Sequence, residues 1–300
     1  LKKNIWIVSE NKDLIKKIIK SNNRIYIIPK FENKKIINIL NKNQCNKAIL
    51  DISHKDNLKN NKIFKIQSFL KKNNIKLISF DLPAQSKIIS DISIIPYEFN
   101  KKINKKQNSK LFKGYNYIFT KVNRNKIESV KQIKKVLIVI SGTDPFNIAY
   151  KIYLLIKDLP YTYKVILGEN SSKLKIKKKK KGDKFLKYSN KILKDIKNHD
   201  AVICGEGLIK FEAILMRKPT ILIHQFDNSS DMIKNFLREK FVYSLGLFKY
   251  IDKQQLKFKI YNYLLNLKKI EKNRLNINNY FNYKIMNYKK QQLLKNIRDL

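Results

Sequence analysis

Val136-Leu137-Ile138-Val139-Ile140-Ser141-Gly142-Thr143-Asp144-Pro145 decides the fold once it is set beside Ala201-Val202-Ile203-Cys204-Gly205-Glu206-Gly207. Each stretch opens with an unbroken apolar run, the pattern of a strand buried on both faces in a parallel sheet. Each run then breaks into a glycine-containing turn, and a helical pattern follows. Open α/β sheets use this strand–turn–helix arrangement to present backbone N–H groups to a phosphate. The two stretches therefore point to a protein that handles a nucleotide or a nucleotide-linked substrate.

Working outward, the same alternation recurs. Upstream, strand signals at Asn4 to Val8, Arg24 to Ile28, Lys47 to Ile52 and Lys76 to Phe80 interleave with helical stretches at Lys12 to Ile19, Lys34 to Leu40 and Lys62 to Lys72. Between Phe99 and Ser109 the pattern fades into Lys and Asn, the loosest region before a domain boundary. Downstream come helix Asn147 to Leu155, strand Tyr163 to Leu167, helix Lys187 to Lys197, helix Leu208 to Met216, strand Thr220 to His224 and helix Ser230 to Lys240. Strands alternating with helices of this size read as βαβ units on mostly parallel sheets. The expected architecture is α/β with two Rossmann-like domains, residues 1–130 and 131–300, the second closed by C-terminal helices whose apolar positions, such as Leu256, Ile260 and Leu264, mark packing faces.

Composition narrows the function. The 300 residues, 43% of them hydrophobic, suffice for two cores. Sixty-six Lys and Arg against 23 Asp and Glu give a formal charge of +43. That charge is spread through every segment beside Asn and Ile, and Arg is scarce, so a nucleic-acid partner is not expected. The dense run Lys173 to Lys181 reads as a solvated loop. Two cysteines, Cys45 and Cys204, are too few for a disulfide framework and agree with a reducing, cytoplasmic setting. No apolar run reaches the length of a membrane span. The three histidines, His54, His199 and His224, have no metal-ligand spacing, and neither metal nor cofactor is expected. His199 reads as a surface residue at a helix end. His224 ends a strand and His54 follows Asp51 at the mouth of another, so both are weak catalytic candidates.

These residues carry a resemblance. Asp51-Ile52-Ser53-His54, Ser79-Phe80-Asp81, Asp91 before Ile92-Ser93-Ile94, Gly114-Tyr115-Asn116-Tyr117 and Ser141 to Pro145 occur in one family's order, as do Gly205-Glu206-Gly207 with Glu212, Pro219 and Asp227-Asn228. From about Ala48 to Leu245 the chain resembles the UDP-sugar hydrolases of the pseudaminic acid pathway, which act on UDP-2,4-diacetamido-2,4,6-trideoxy-β-L-altropyranose, and related spore-coat polysaccharide proteins. The family has the glycosyltransferase-B (GT-B) fold and in its C-terminal half is similar to the lipid II N-acetylglucosaminyltransferase. The resemblance implies UDP in an interdomain cleft, held mainly by the second domain. Substrate contacts then fall on Gly142, Thr143 and Asp144 in the first turn, on Gly168 after its strand, on Glu206, Gly207 and Leu208 in the second turn, and on Glu212 and Asn228.

The residue chemistry agrees and has plainer alternatives. Gly207 precedes a helix whose N-terminal amides and dipole suit a diphosphate, and Glu212 is placed to accept hydrogen bonds from ribose hydroxyls. Gly142 equally makes a tight turn, and Thr143 and Asp144 equally cap a helix. Two departures stand out. The hydrolases begin with a G-x-G-H-x-x-R loop whose histidine activates water; here no glycine precedes Gly114, so Leu1 is expected to follow a missing first βα unit. Glu206, Leu208 and Ile209 replace small and hydroxyl residues, and Ser229 follows Asn228 where the family has Gln. Three readings stay open: hydrolysis of a UDP-linked diacetamido sugar in surface-glycan biosynthesis, glycosyl transfer from a UDP-sugar, and nucleotide-sugar binding without catalysis.

Overall fold

The computed structural model describes residues 5–8, 24–27, 32–51, 62–80, 90–96, 108–122, 130–168, 176, 179–187, 189–225 and 240–300. His54, Asn228, the expected helix Lys12 to Ile19 and nearly all of the expected helix Ser230 to Lys240 lie outside them. The chain divides into two compact units, one of Leu1–Pro96, Asn100–Lys113 and Gln292–Leu300, the other of Tyr97–Phe99 and Gly114–Gln291. Both are parallel-sheet α/β structures, as expected.

In the first unit, β1 (Ile5–Val8) pairs with β2 (Arg24–Ile27). A separate four-stranded sheet runs in chain order through β3 (Lys47–Asp51), β4 (Lys76–Phe80), β5 (Ser90–Ile95) and β6 (Asn108–Lys113), parallel throughout. Parallel neighbours need crossovers; helix α2 (Lys62–Lys72) lies in the one from β3 to β4, and helix α1 (Asn33–Lys42) joins β2 to β3. Helical spacing puts Ile36 with Leu40, and Ile66 with Leu70, on one face each, where they pack with Ile75 and Leu77. Ser79, Ser90 and Ser93, buried between β4 and β5, satisfy one another at 2.8 to 2.9 Å.

The second unit holds β7 (Lys135–Val139), α3 (Ile148–Ile156), β8 (Thr162–Ile166), β9 (Lys184–Leu186), α4 (Ile192–Lys197), β10 (Ala201–Cys204), α5 (Leu208–Leu215), β11 (Thr220–His224) and β12 (Tyr243–Leu247). Helices α6 (Lys253–Leu265), α7 (Leu267–Tyr280) and α8 (Tyr283–Asp299) follow. The six strands, all parallel, stand in the order β12-β11-β10-β7-β8-β9. Numbered within the unit and read from β9, that is 3-2-1-4-5-6, the Rossmann order. The central strands are buried on both faces, and on one of them Val136, Ile138, Ile203 and Ile221 pack with Ile148, Ile152 and Ile156 of α3 and Leu256 and Ile260 of α6.

Four strands were not anticipated: β5 carries buried serines among its isoleucines, β6 opens inside the Lys/Asn-rich stretch, β9 precedes the expected helix Lys187 to Lys197, of which α4 keeps the second half, and β12 straddles Gly246. The last three lie at sheet edges, where one row of backbone groups is unpaired and charged residues are tolerated. The C-terminal end of the basic run is anchored rather than wholly solvated. Buried Asp183 accepts from Tyr153 OH and Tyr163 N, each at 2.8 Å, and Lys180 N donates to Tyr153 OH at 2.9 Å. Burial pushes the Tyr153 hydroxyl up to about 12.

Candidate functional site

Strand order sets the site. β7 pairs with β10 from Val136 opposite Ala201 to Val139 opposite Cys204. After β7 the chain moves outward to β8 and β9, and after β10 it moves the other way to β11 and β12. The turns leaving β7 and β10 thus flank a topological switch point, where open α/β sheets bind ligands. The two stretches that decided the fold from sequence lie side by side at the carboxyl edge of one sheet.

Close packing ties these turns together. Gly205 N donates to Ile140 O at 3.1 Å, and a Cβ on Gly205 would stand 2.5 Å from that oxygen and 3.1 Å from Gln225 Nε2. Ser141 Oγ donates to Gln225 Oε1 at 3.3 Å and accepts from Asp144 N at 2.8 Å, so the ends of β7, β10 and β11 share one network. A Cβ on Gly168 would lie 2.4 Å from Thr143 C, so only glycine lets the end of β8 approach the first turn. Asp144 is fully buried with a left-handed φ of 38°, and its carboxylate accepts from Ile148 N at 2.8 Å and Ala149 N at 3.0 Å. Its side chain holds the turn and caps α3. Burial raises its pKa, with the two amides and Lys151 pulling the other way.

What faces outward is different. Added Cβ atoms on Gly142 and Gly207 would meet nothing within 4 Å. Thr143 and Leu208 are exposed beside them. Gly207 is the N-cap of α5 and has no side-chain cap, so amides at that end are left for another partner.

Glu206 turns away from this opening. Its Oε1 lies 2.5 Å from His224 Nδ1, and His224 Nε2 lies 2.8 Å from Ser244 Oγ on β12. Both imidazole nitrogens are thereby engaged. These distances match a Ser–His–acid relay, yet Ser244 sits within a strand and its Oγ accepts Gly246 N at 3.2 Å. The hydrogen bonds tether Glu206 rather than arm a nucleophile. Lys210, 6% exposed, folds its ammonium back onto Glu206 O and over the Phe211 ring, 4.4 Å from its centroid.

Glu212 lies one turn further along α5 and is buried. Among the described residues its carboxylate takes a hydrogen bond from Thr120 Oγ at 3.4 Å. Burial raises its pKa and the Thr120 hydroxyl opposes the rise. A carboxylate has room for several donors, so this one keeps acceptor capacity. His199 is elsewhere, half-buried ahead of β10 at the amino edge, its Nδ1 2.6 Å from Asp195 O. Burial lowers its pKa. Cys204 is wholly buried in β10, its thiol pushed up to about 12, and behaves as a small hydrophobe. Among the described residues no three His, Cys, Asp or Glu side chains gather as metal ligands, and no helix is long and apolar enough to cross a membrane.

The structure thus gathers Gly142, Thr143, Asp144, Gly168, Glu206, Gly207 and Leu208 at one sheet edge, with Glu212 on the adjoining helix. Lys210, Gln225 and Ser244 were not singled out from sequence. Lys210 had a signal: a cation in the first turn of a helix opposes the dipole unless an anion lies near. Ser244 and Gln225 had none, because their roles come from strand pairing.

Two parallel α/β units, the second in Rossmann order, make this a GT-B fold. Similarity to solved structures agrees. MurG of Acinetobacter baumannii superposes with a TM-score of 0.62 at 9% identity, covering 99% of this chain and 91% of that one. MnaA of S. aureus in complex with UDP gives 0.59 at 9%, covering 95% and 94%. The calicheamicin glycosyltransferase gives 0.58 at 8%, covering 93% and 87%. In sequence, the chain is 29% identical over 186 residues to an uncharacterized protein of Methanocaldococcus jannaschii, a match taking in 55% of this chain. It spans 38% of the length of that curated relative. No protein-family model matches.

Proposed function

We propose that the protein binds a UDP-sugar at the carboxyl edge of the second unit and cleaves it to UDP and a free amino sugar, as part of surface-glycan biosynthesis. The carrying observation is the pair of open turns, Gly142-Thr143 and Glu206-Gly207, on either side of the switch point. The diphosphate lies against the uncapped start of α5, where amides and dipole stabilise the leaving charge. Glu212 accepts from the ribose hydroxyls. Water attacks the anomeric carbon and UDP departs; the resemblance to the pseudaminic acid hydrolases points to a diacetamido sugar. Free Cys45 and Cys204 agree with a cytoplasmic setting.

Calorimetric titration with UDP and UDP-N-acetylglucosamine tests the reading. Micromolar binding that weakens about tenfold or more in Glu212→Ala is expected, the scale of a lost hydrogen bond to a charged group. Absence of binding overturns the reading, and unchanged affinity in Glu212→Ala removes that residue from the site. A second reading, glycosyl transfer from the same donor, is favoured by the calicheamicin glycosyltransferase among the structural neighbours. Free sugar as product supports hydrolysis, and a glycosylated acceptor supports transfer.

A further inference from the structure

Glu206 is an anion placed in the loop assigned to a diphosphate, one residue before the amides meant to hold it. Two like charges a few Å apart repel strongly enough to matter for affinity. The structure answers this with His224. The Glu206 and His224 side chains are only 17% and 10% exposed, and they meet at 2.5 Å. On the far side of the ring, Ser244 Oγ stands at 2.8 Å from Nε2.

A carboxylate on Nδ1 and a hydroxyl on Nε2 are both able to accept, so both protons of an imidazolium have partners. In the neutral ring, Nδ1–H still donates to Glu206 and Ser244 Oγ–H turns to donate to Nε2. The geometry therefore accommodates either charge state without rearrangement. What changes is the charge beside the open amides of Gly207: a neutral pair when the ring carries two protons, a net negative one when it carries one. Besides the pair's own two members, Lys210 from α5 faces it, its ammonium on Glu206 O. From β12 the partner is the uncharged Ser244, and Ser141 in the turn after β7 and Gln225 after β11 are uncharged and bonded to each other.

We propose that the Glu206–His224 pair sets the charge of the diphosphate loop, so that affinity for a nucleotide sugar falls as rising pH removes the second proton from His224. His224 acts here as a positioning and charge-setting residue, not as a group that touches substrate. The inference rests on the UDP-sugar reading above. By linkage it is reciprocal: a bound diphosphate must hold the proton on His224 to higher pH.

The test is calorimetry with UDP-N-acetylglucosamine from about pH 5.5 to 8.5, the span in which imidazoles titrate. That ligand is chosen because its diphosphate is esterified at both ends and keeps its charge across the range. Wild type is expected to bind about tenfold more weakly at the alkaline end. His224→Gln should lose the pH dependence and bind at every pH as weakly as wild type does at the alkaline end. Glu206→Gln should bind more tightly than wild type at both ends of the range. Should either variant fail to fold, the His224 ring signals of wild type, followed by NMR, still decide: their titration midpoint must rise when the ligand is added. No binding at any pH sinks the UDP-sugar reading and this inference with it. Binding that is flat with pH in wild type, that keeps its pH dependence in His224→Gln, or that leaves the His224 midpoint in place overturns the inference alone.

Discussion

The four-stranded sheet of the first unit and the six-stranded sheet of the second are both parallel, but only the second reverses direction. In β3-β4-β5-β6 each connection steps to the next strand, so successive turns at the carboxyl edge lead the same way. In the second sheet β7 lies at the centre and the chain leaves it twice in opposite directions, which opens a crevice between the turns after β7 and β10. Glycine usage follows this difference. All seven glycines fall between Gly114 and Gly246, in the second unit. Where Gly168 and Gly205 stand, neighbouring backbone comes closer than any side chain permits. The comparison teaches that the binding edge is made by strand order, with Gly168 and Gly205 needed where that order forces turns together.

The largest expected effect contrasts the two cores. Ile203→Ala, at a fully buried position of β10, should cost about 4 kcal/mol in urea unfolding, and Leu70→Ala in the smaller α1–α2 core about 2 kcal/mol. Equal costs would mean the two cores are equally tight. Next, Gly205→Val should cost about 3 kcal/mol by forcing a side chain into Ile140 O, and should abolish UDP binding. Gly207→Ala, facing open space, should stay within about 0.5 kcal/mol. If both variants melt alike, strand order does not crowd the one turn and spare the other.

Glu212 comes third, because its burial has a sign. A carboxyl whose folded pKa is raised contributes stability that is fully present below its ordinary value, about 4.3, and lost as pH rises through the folded value. Glu212→Gln, always neutral, should thus be more stable than wild type at pH 7 by on the order of 1 kcal/mol, with the gap closing toward about pH 4. A variant less stable than wild type at pH 7 would show that the carboxylate serves the fold and not a ligand. The smallest effect is in the first unit, where Lys47 Nζ donates to Ile297 O at 2.7 Å and Arg298 O at 2.8 Å at the end of α8. Lys47→Ala should cost about 0.5 kcal/mol and speed hydrogen exchange in the last turn of α8 alone.

The central strands of the second sheet were legible from sequence, whereas three edge strands and the serine-bearing central strand β5 were not. Val136 to Ile140 and Ala201 to Cys204 are buried on both faces and read as apolar runs, whereas Asn108–Lys113, Lys184–Leu186 and Tyr243–Leu247 lie at sheet edges and carry lysine or polar residues that blur the pattern. At the site, Asp144 could be read either as a cap or as a ligand contact, since the residue type suits both. Only the buried carboxylate, held by Ile148 N and Ala149 N, assigns it to the cap. Glu206 read as a substrate contact standing where a small residue is usual; its partner His224 is 18 residues away and Ser244 a further 20.

By itself, the sequence determined the α/β class and the two glycine turns, because apolar runs and turn residues act within a few neighbours along the chain. The tertiary structure alone decided that those turns lie side by side, that Gly168 and Gly205 must lack a side chain while Gly142 and Gly207 need not, and that Glu206 spends its charge on His224. Those outcomes depend on which strands pair, and pairing joins residues whose separation in sequence leaves no local pattern to read.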